Sequence, residues 1–458
     1  MATMSINDEK KTRWDLLAAT LIGFFAVLQI LQWPLLPRFL DIYYHLSAAA
    51  GFAKAGGFVP DAFWEYAPAG RPHLYPPLLH CLMLGMSKLG LSWISIGRLT
   101  ECILVPSFLL AFGLTVRKLS SPGAAFFAVL AAGSVFSLYL DLGILATDTL
   151  SLTLGLLALL AVSREKAIAG AVLLGLAFYA HIYMAAMMLA AIAAYGLLTP
   201  RLRGRTLFAC ALALVLAAPL LARTFMYRDF FTLVKVREGR TLEIYPLIYI
   251  FAAVGLAAAV RRKIPILAPV CLAVAMLPLL HTHIVRWFGG HGLTGLVWLA
   301  GIGLYATWRR IAGDGRRRQA AGVSLAAAIA IFLFVSPVIH LRPYEKTAGI
   351  RFLDSPATHL LLPDKFKTDR PKEHSIYEPG EFGKIAELIR ANSGKDDIIW
   401  CNVEHCGALL SLLSDRATSS APLREIRPYV KSDVRAAARV LVWFKSTAAD
   451  IRPEMLAV

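Results

Sequence analysis

The sequence predicts an α-helical polytopic membrane protein, with about eleven transmembrane helices near the ~20 residues that a bilayer core requires and a small α/β domain after them. Three observations predict it. Hydrophobic residues make up 57% of the 458 residues, the mean hydropathy is +0.61, and the apolar residues fall into runs of helix-spanning length; such a chain has too little polar surface for a soluble fold. Lys and Arg recur in short loops after every second crossing, the mark of cytoplasmic loops. From Leu341 onward the composition turns polar and proline-bearing.

The elements follow in order. Met1 to Arg13 is polar, with Lys10, Lys11 and Arg13, and the apolar run behind it shows no small-residue cleavage site, so it reads as an uncleaved signal anchor with a cytoplasmic N-terminus. The expected spans are Trp14 to Trp33, Ile94 to Val116, Pro122 to Leu140, Thr149 to Val162, Ala167 to Ala180 and Met184 to Leu198. They continue as Thr206 to Ala222, Pro246 to Val260, Ile264 to Leu280, Leu293 to Trp308 and Ala320 to His340. Arg117 and Lys118, Arg164 and Lys166, Arg201 to Arg205, Arg261 to Lys263 and Arg309 to Arg318 lie between them on one side. An odd number of crossings leaves the C-terminal part outside, and the formal charge of +17 is explained by orientation in a membrane, with no nucleic acid required.

Two regions interrupt the spans. The first outer loop, about residues 34–93, reads as an interfacial helix from Ile42 to Ala55, a Gly- and Pro-rich turn, and a helix begun by Pro76 and Pro77. Residues 341–458 form the extracytoplasmic domain, with a helix from Glu381 to Ala391, a strand from Asp397 to Cys401, a helix at Leu409 to Leu413 and a strand at Val440 to Phe444. The membrane domain is thus residues 1–340. Cys401 and Cys406 lie outside, where a disulfide or free thiols are both open.

The ionisable residues fall on the outer side: Asp41, His45, Asp61, Glu65, Arg71, His73, Asp141, Asp148, His181, Arg223 to Glu243, His281, His283, Arg286 and His291. Ionisable groups at a membrane boundary are costly and usually functional, which singles out Asp41; Asp148, entering a span, is equally readable as a helix N-cap. The outer loop holding Arg223, Arg228, Lys235, Arg237 and Arg240 breaches the positive-inside pattern, and an anionic partner would account for it. Guanidinium groups pair with phosphate in fork geometry, so a phosphate-bearing lipid or ordinary anionic headgroups both fit. Arg98 and Glu101 read as an intrahelical pair.

Several segments together resemble the membrane glycosyltransferases of the GT-C superfamily, and within it the STT3-type catalytic subunit of oligosaccharyltransferases. Asp41-Ile42-Tyr43-Tyr44-His45-Leu46 is similar to the first-loop acidic motif, and Tyr75-Pro76-Pro77-Leu78 to the proline pair after it. Ala146-Thr147-Asp148 stands where the family has an Asp-x-Asp pair, its first acid replaced by Ala146. Val285-Arg286-Trp287-Phe288, followed by Leu299 to Leu304, resembles the segment whose Arg contacts the donor phosphate. Trp400 to Gly407 with Asp415 to Thr418 corresponds to the outer domain. There the chain reads Trp400-Cys401-Asn402-Val403-Glu404-His405-Cys406-Gly407 in place of the Trp-Trp-Asp-Tyr-Gly signature that helps recognise an Asn sequon.

The resemblance implies a GT-C-like fold and transfer of a sugar from a polyprenyl-phosphate-linked donor at the outer face, and the missing signature favours a lipid or glycan acceptor over a protein. Asp41 and Asp148 are the expected catalytic residues; Tyr44, His45, Arg71, His73, Arg237, Glu238, His283 and Arg286 the expected substrate-binding ones. A divalent cation, Mg or Mn, on the oxygen ligands Asp41, Asp148 and Glu238 is the metal reading. The histidines 281, 283 and 291 beside Gly289, Gly290 and Gly292 read as donors lining a polar pocket more readily than as a zinc site. The chemistry is consistent with these types: a polyprenyl phosphate is already a good leaving group, so the enzyme must neutralise phosphate and activate the acceptor. The other function class, a transporter or flippase, should carry mid-span charges and matched internal halves, and the sequence shows neither.

Overall fold

The computed structural model describes residues 13–33, 36–37, 40–231, 242–262, 265–313, 318–342, 347–353, 355–361, 379–401, 404–419, 426, 428–429, 440–445 and 452–457. The chain begins with α1 (Trp14–Leu31). The first outer loop then carries α2 (Leu40–Lys54), the short antiparallel pair β1 (Asp61–Ala62) and β2 (Arg71–Pro72), and α3 (Leu78–Lys88). A run of helices follows: α4 (Trp93–Leu119), α5 (Pro122–Ser134), α6 (Phe136–Ile144), α7 (Ala146–Ser163), α8 (Ala167–Ala180), α9 (Ile182–Leu197) and α10 (Arg203–Met226). Beyond β3 (Leu242–Ile244) come α11 (Pro246–Arg262), α12 (Leu267–Ala275), α13 (Leu279–Thr282), α14 (Ile284–Phe288), α15 (Thr294–Ala312) and α16 (Arg318–Ala330). Of these, α1, α4, α7 and α10 are each long and apolar enough to cross a membrane, and α5 with α6 would make a fifth as one broken span. Helices such as α8, α9 and α11 are apolar but shorter than the ~20 residues of a perpendicular crossing.

Local sequence sets the helix ends. Ser92 and Ser121 cap α4 and α5 by accepting from Ser95 N and Ala124 N, and Pro122 stands in the first turn of α5 where its missing N–H costs nothing. Every residue from Gly123 to Ser134 is buried, which makes α5 the centre of the bundle. Trp14 seals one end of it, its ring 4.8–5.7 Å from those of Phe126, Phe127, Tyr305 and Trp308.

Packing relies on small residues, as lipid supplies no hydrophobic drive between helices. A Cβ on Gly303 of α15 would lie 2.0 Å from the Phe251 carbonyl oxygen, and one on Gly255 of α11 2.0 Å from that of Leu299. These are backbone atoms that cannot rotate away. Gly303→Ala therefore forces α11 and α15 apart, at a cost of about 1–3 kcal/mol, and lowers the melting temperature followed by fluorescence-detected size exclusion; an unchanged melting curve would contradict it.

The structure corrects several expectations. The span expected from Pro122 to Leu140 is two helices meeting at Val135 with an 80° bend. The freed backbone groups are satisfied from elsewhere: Ser336 Oγ donates to Ser134 O at 3.1 Å, and Ser137 N donates to Tyr245 Oη at 3.0 Å. The span expected from Ile264 to Leu280 ends at Ala275, before Pro278 starts α13. The last one ends in a π turn at Ile331–Val335, because Pro337 cannot continue the helical hydrogen bonding. His340 lies in β4 (Val338–Arg342), the middle strand of an antiparallel sheet between β3 and β5 (Thr347–Arg351). This sheet straddles the expected boundary at residue 340.

The remaining chain contains α17 (Pro356–Leu361), α18 (Pro379–Asn392), β6 (Ile398–Cys401), α19 (Glu404–Ser414), β7 (Ala417–Thr418), β8 (Val440–Lys445) and β9 (Arg452–Ala457). The strands form one sheet in the order β7-β6-β8-β9, parallel except at β8-β9. Its core is continuous with the first outer loop: Ile42, Tyr43, Leu46 and Ala49 of α2 join Ile385, Ile389, Ile399, Leu409 and Val442 in one cluster. Hence α2 is not an interfacial helix, as the sequence led us to expect; Ile42 through Ala49 are all buried, between α3, α4 and α19. Cys401 and Cys406 are buried in this cluster as thiols, with no disulfide joining them.

Candidate active site

The ends of α2, α7, α9 and α14 bring together residues far apart in sequence. Asp148 lies in the first turn of α7 and is only 3% exposed. Arg286 of α14 donates from Nη1 to its Oδ2 at 2.9 Å. His181 Nε2 is 2.9 Å from Oδ1. The tautomer of His181 follows from its other nitrogen: Nδ1 caps α9 by accepting from Met184 N at 3.2 Å, so the ring proton sits on Nε2, toward Asp148. Ser151 Oγ supports this corner by donating to Ala177 O and His181 O.

A second ring of contacts fixes Arg286 and Asp148. Thr147, beside Asp148, shares a 2.7 Å hydrogen bond with Tyr75 Oη. Thr149 Oγ1 is 3.1 Å from His291 Nε2, and His291 Nδ1 is 3.9 Å from Asp141 Oδ2. A Cβ on Gly290 would fall 1.9 Å from Asp141 Oδ2 and 3.1 Å from Arg286 Cα, so only glycine lets Asp141 lie under this turn. Burial opposes the charge on Arg286, yet Asp148, Asp141 and Asp41 outweigh it and hold the guanidinium above its ordinary pKa. Asp41, in the first turn of α2, is half-buried and its charge is also felt at Tyr75.

Of the residues singled out in the sequence, Asp148 and Arg286 thus meet, Asp41 is near enough for its charge to act on Arg286, and His283 stands one turn before Arg286 at the α13–α14 junction. Arg237 and Glu238, like Arg38, lie outside the described residues. Tyr44, His45, Arg71 and His73 are all buried inside the first loop, the rings of Tyr44 and His45 lying 5.8 and 5.2 Å from that of Tyr75. Arg71 pairs with Glu65, donating from Nε at 2.7 Å, and reaches the Ile426 carbonyl at 3.1 Å, with Tyr44 beside it. Arg71 therefore clamps the loop to the C-terminal region. Arg98 donates to the Leu36 carbonyl at 2.8 Å. The sequence does not mark His181, Tyr75 or Asp141 as site residues, whereas His291, read there as a donor lining a polar pocket, does stand against Thr149 and Asp141. The signal available for His181 was a lone imidazole between two short apolar runs.

His45 and His80 face one another, Nδ1 to Nε2, at 2.9 Å, and the His73 ring lies 5.2 Å from that of His80. Burial pushes His45 and His73 down to about 3 from 6.5 and lowers His80 as well. An unfolded chain would take up these protons near 6.5 while the folded chain refuses them, so this stability is complete above that pH and is lost below it. The melting temperature is expected to fall steadily from pH 7 to pH 5; a flat profile would count against neutral, buried imidazoles.

The described residues contain no group of three or more His, Cys, Asp or Glu side chains gathered for a metal ion. Both Asp148 oxygens face nitrogen groups, an arrangement that suits an ion-paired carboxylate better than a dication ligand.

No protein-family profile matches this sequence, and no curated protein does. Solved structures do match. The oligosaccharyltransferase of Archaeoglobus fulgidus in complex with Zn and sulfate is 12% identical with a TM-score of 0.57, over 93% of this chain and 68% of that one. ArnT from Cupriavidus metallidurans bound to undecaprenyl phosphate is 13% identical with a TM-score of 0.56, over 93% and 92%. The mycobacterial arabinofuranosyltransferase AftD is 14% identical with a TM-score of 0.59, over 93% of this chain and 36% of that one. At these identities the likeness is one of fold. The chain shares the fold of these three proteins.

Proposed function

We propose that this chain is a membrane glycosyltransferase that moves a sugar from a polyprenyl-phosphate donor to a hydroxyl of a lipid or glycan acceptor, on the extracytoplasmic face. The observation that carries the reading is the guanidinium of Arg286, anchored by buried Asp148 at 2.9 Å and within the field of Asp41. Undecaprenyl phosphate bound to ArnT, a protein of the same fold and nearly the same length, supports the donor class.

In this reading Arg286 spends one of its five N–H groups on Asp148 and offers others to the donor phosphate. Asp148 faces Arg286 and His181 and is a poor base; it orients the guanidinium. Asp41, half-buried in the first turn of α2, takes the acceptor proton. The acceptor oxygen attacks the anomeric carbon, the bond from that carbon to the phosphate oxygen breaks, and its electron pair stays on the polyprenyl phosphate. Arg286 stabilises the charge that develops there.

The test follows a labelled sugar from a polyprenyl-phosphate donor with purified protein in detergent, for wild type, Asp41→Asn and Arg286→Ala. Transfer by wild type that both substitutions abolish, with folding intact, supports the proposal. Donor binding without turnover across a broad acceptor panel, indifferent to Asp41→Asn, would sink it. Transfer to an Asn-x-Thr peptide would move the acceptor class to protein.

A further inference from the structure

At the end of α7 remote from Asp148, about 22 Å of helix away, three chain turns border an open hollow of about 510 Å³ lined by Lys118, Ser163, Arg164, Glu165, Thr199, Arg201 and Leu202. Three cations line it against one acid. Glu165, held at a φ of +65°, is engaged by both Arg201 and Arg205, and Arg203 is turned to the Leu197 carbonyl. That leaves Lys118 and Arg164, whose side chains have no hydrogen-bond or ion-pair partner among the described residues. A basic loop alone is what orientation in a membrane requires; a hollow with two uncommitted cations is more than that.

We infer that this hollow binds the phosphate of an anionic phospholipid of the inner leaflet. The phosphate chemistry would be shared with any free phosphate ester, but the surroundings select a lipid. Ile168, Leu197 and Leu198, within a few positions of the lining residues in sequence, are exposed large apolar residues, a surface suited to acyl chains and costly in water. Anionic headgroups are attracted to basic clusters on this side of a membrane, and pockets between helices there hold them specifically.

Native mass spectrometry of the purified full chain in detergent, with phosphatidylglycerol or phosphatidylcholine added, tests the site. Phosphatidylglycerol is expected to be retained preferentially, and Lys118→Gln with Arg164→Gln to weaken that retention roughly thirtyfold. The pair Arg261→Gln with Arg310→Gln, basic residues near the ends of α11 and α15 that do not line this hollow, is expected to leave it unchanged; an equal loss there would reduce the effect to general surface charge and overturn the site. Competition by inorganic phosphate as effective as by phosphatidylglycerol would overturn the lipid assignment. Should the double variant fail to fold, equal retention of the two lipids by wild type would overturn the proposal without it.

Discussion

Arg286→Ala is expected to lower sugar transfer by roughly 10²–10³-fold, the effect of deleting a pre-set donor to a developing oxyanion, and Asp148→Ala to lower it comparably although the guanidinium itself is kept. The two substitutions act on one unit. Removing the guanidinium leaves Asp148 buried beside His181 alone, and removing the carboxylate frees Arg286 to swing out of line with the phosphate. Their combined loss should fall well short of the product of the single losses, as for residues acting together. Single-turnover rates for the two single variants and the double variant, with melting curves to confirm folding, decide it. Multiplicative losses would show that Asp148 acts independently of Arg286.

Asp41→Asn is expected to cost roughly 10²–10⁴ in turnover, the range for a positioned general base, with donor affinity nearly unchanged. Asn keeps the size and one acceptor oxygen but cannot hold the proton. Because Asp41 is half-buried at the start of α2, its replacement should leave the melting temperature close to wild type, unlike a change at Asp148. Measuring KM for the donor separately from kcat distinguishes the roles. A raised donor KM with kcat intact would place Asp41 in phosphate or sugar binding and not in proton transfer.

Hydropathy reveals which segments face lipid, so the helical class and most helix positions were readable from the chain. It says nothing of partners. Asp148 and Arg286 each stood out as an ionisable group at the edge of an apolar run, but they are 138 positions apart and no local pattern records their meeting. His181 was hidden for the same reason. The break at Val135 escaped because no proline marks it; what allows it are Ser336 and Tyr245, side chains from distant parts of the chain. The burial of α2 escaped because its partner, α19, comes some 350 residues later, and an amphipathic stretch reads alike whether lipid or protein covers it.

The joining of α2 to the C-terminal region makes that helix a lever. Its 15 residues span roughly 22 Å, with Asp41 at one tip, while Lys54 at the other is tied to Asp415 at 2.7 Å. A tilt of about 5° around the Lys54 end would carry the carboxylate by ~2 Å over that length, and displacements of about 1 Å are enough to cost catalysis two orders of magnitude. On the proposed role of Asp41, whatever presses on the C-terminal sheet has mechanical purchase on the acid that takes the acceptor proton, so that a contact made far from the reacting atoms would set their alignment.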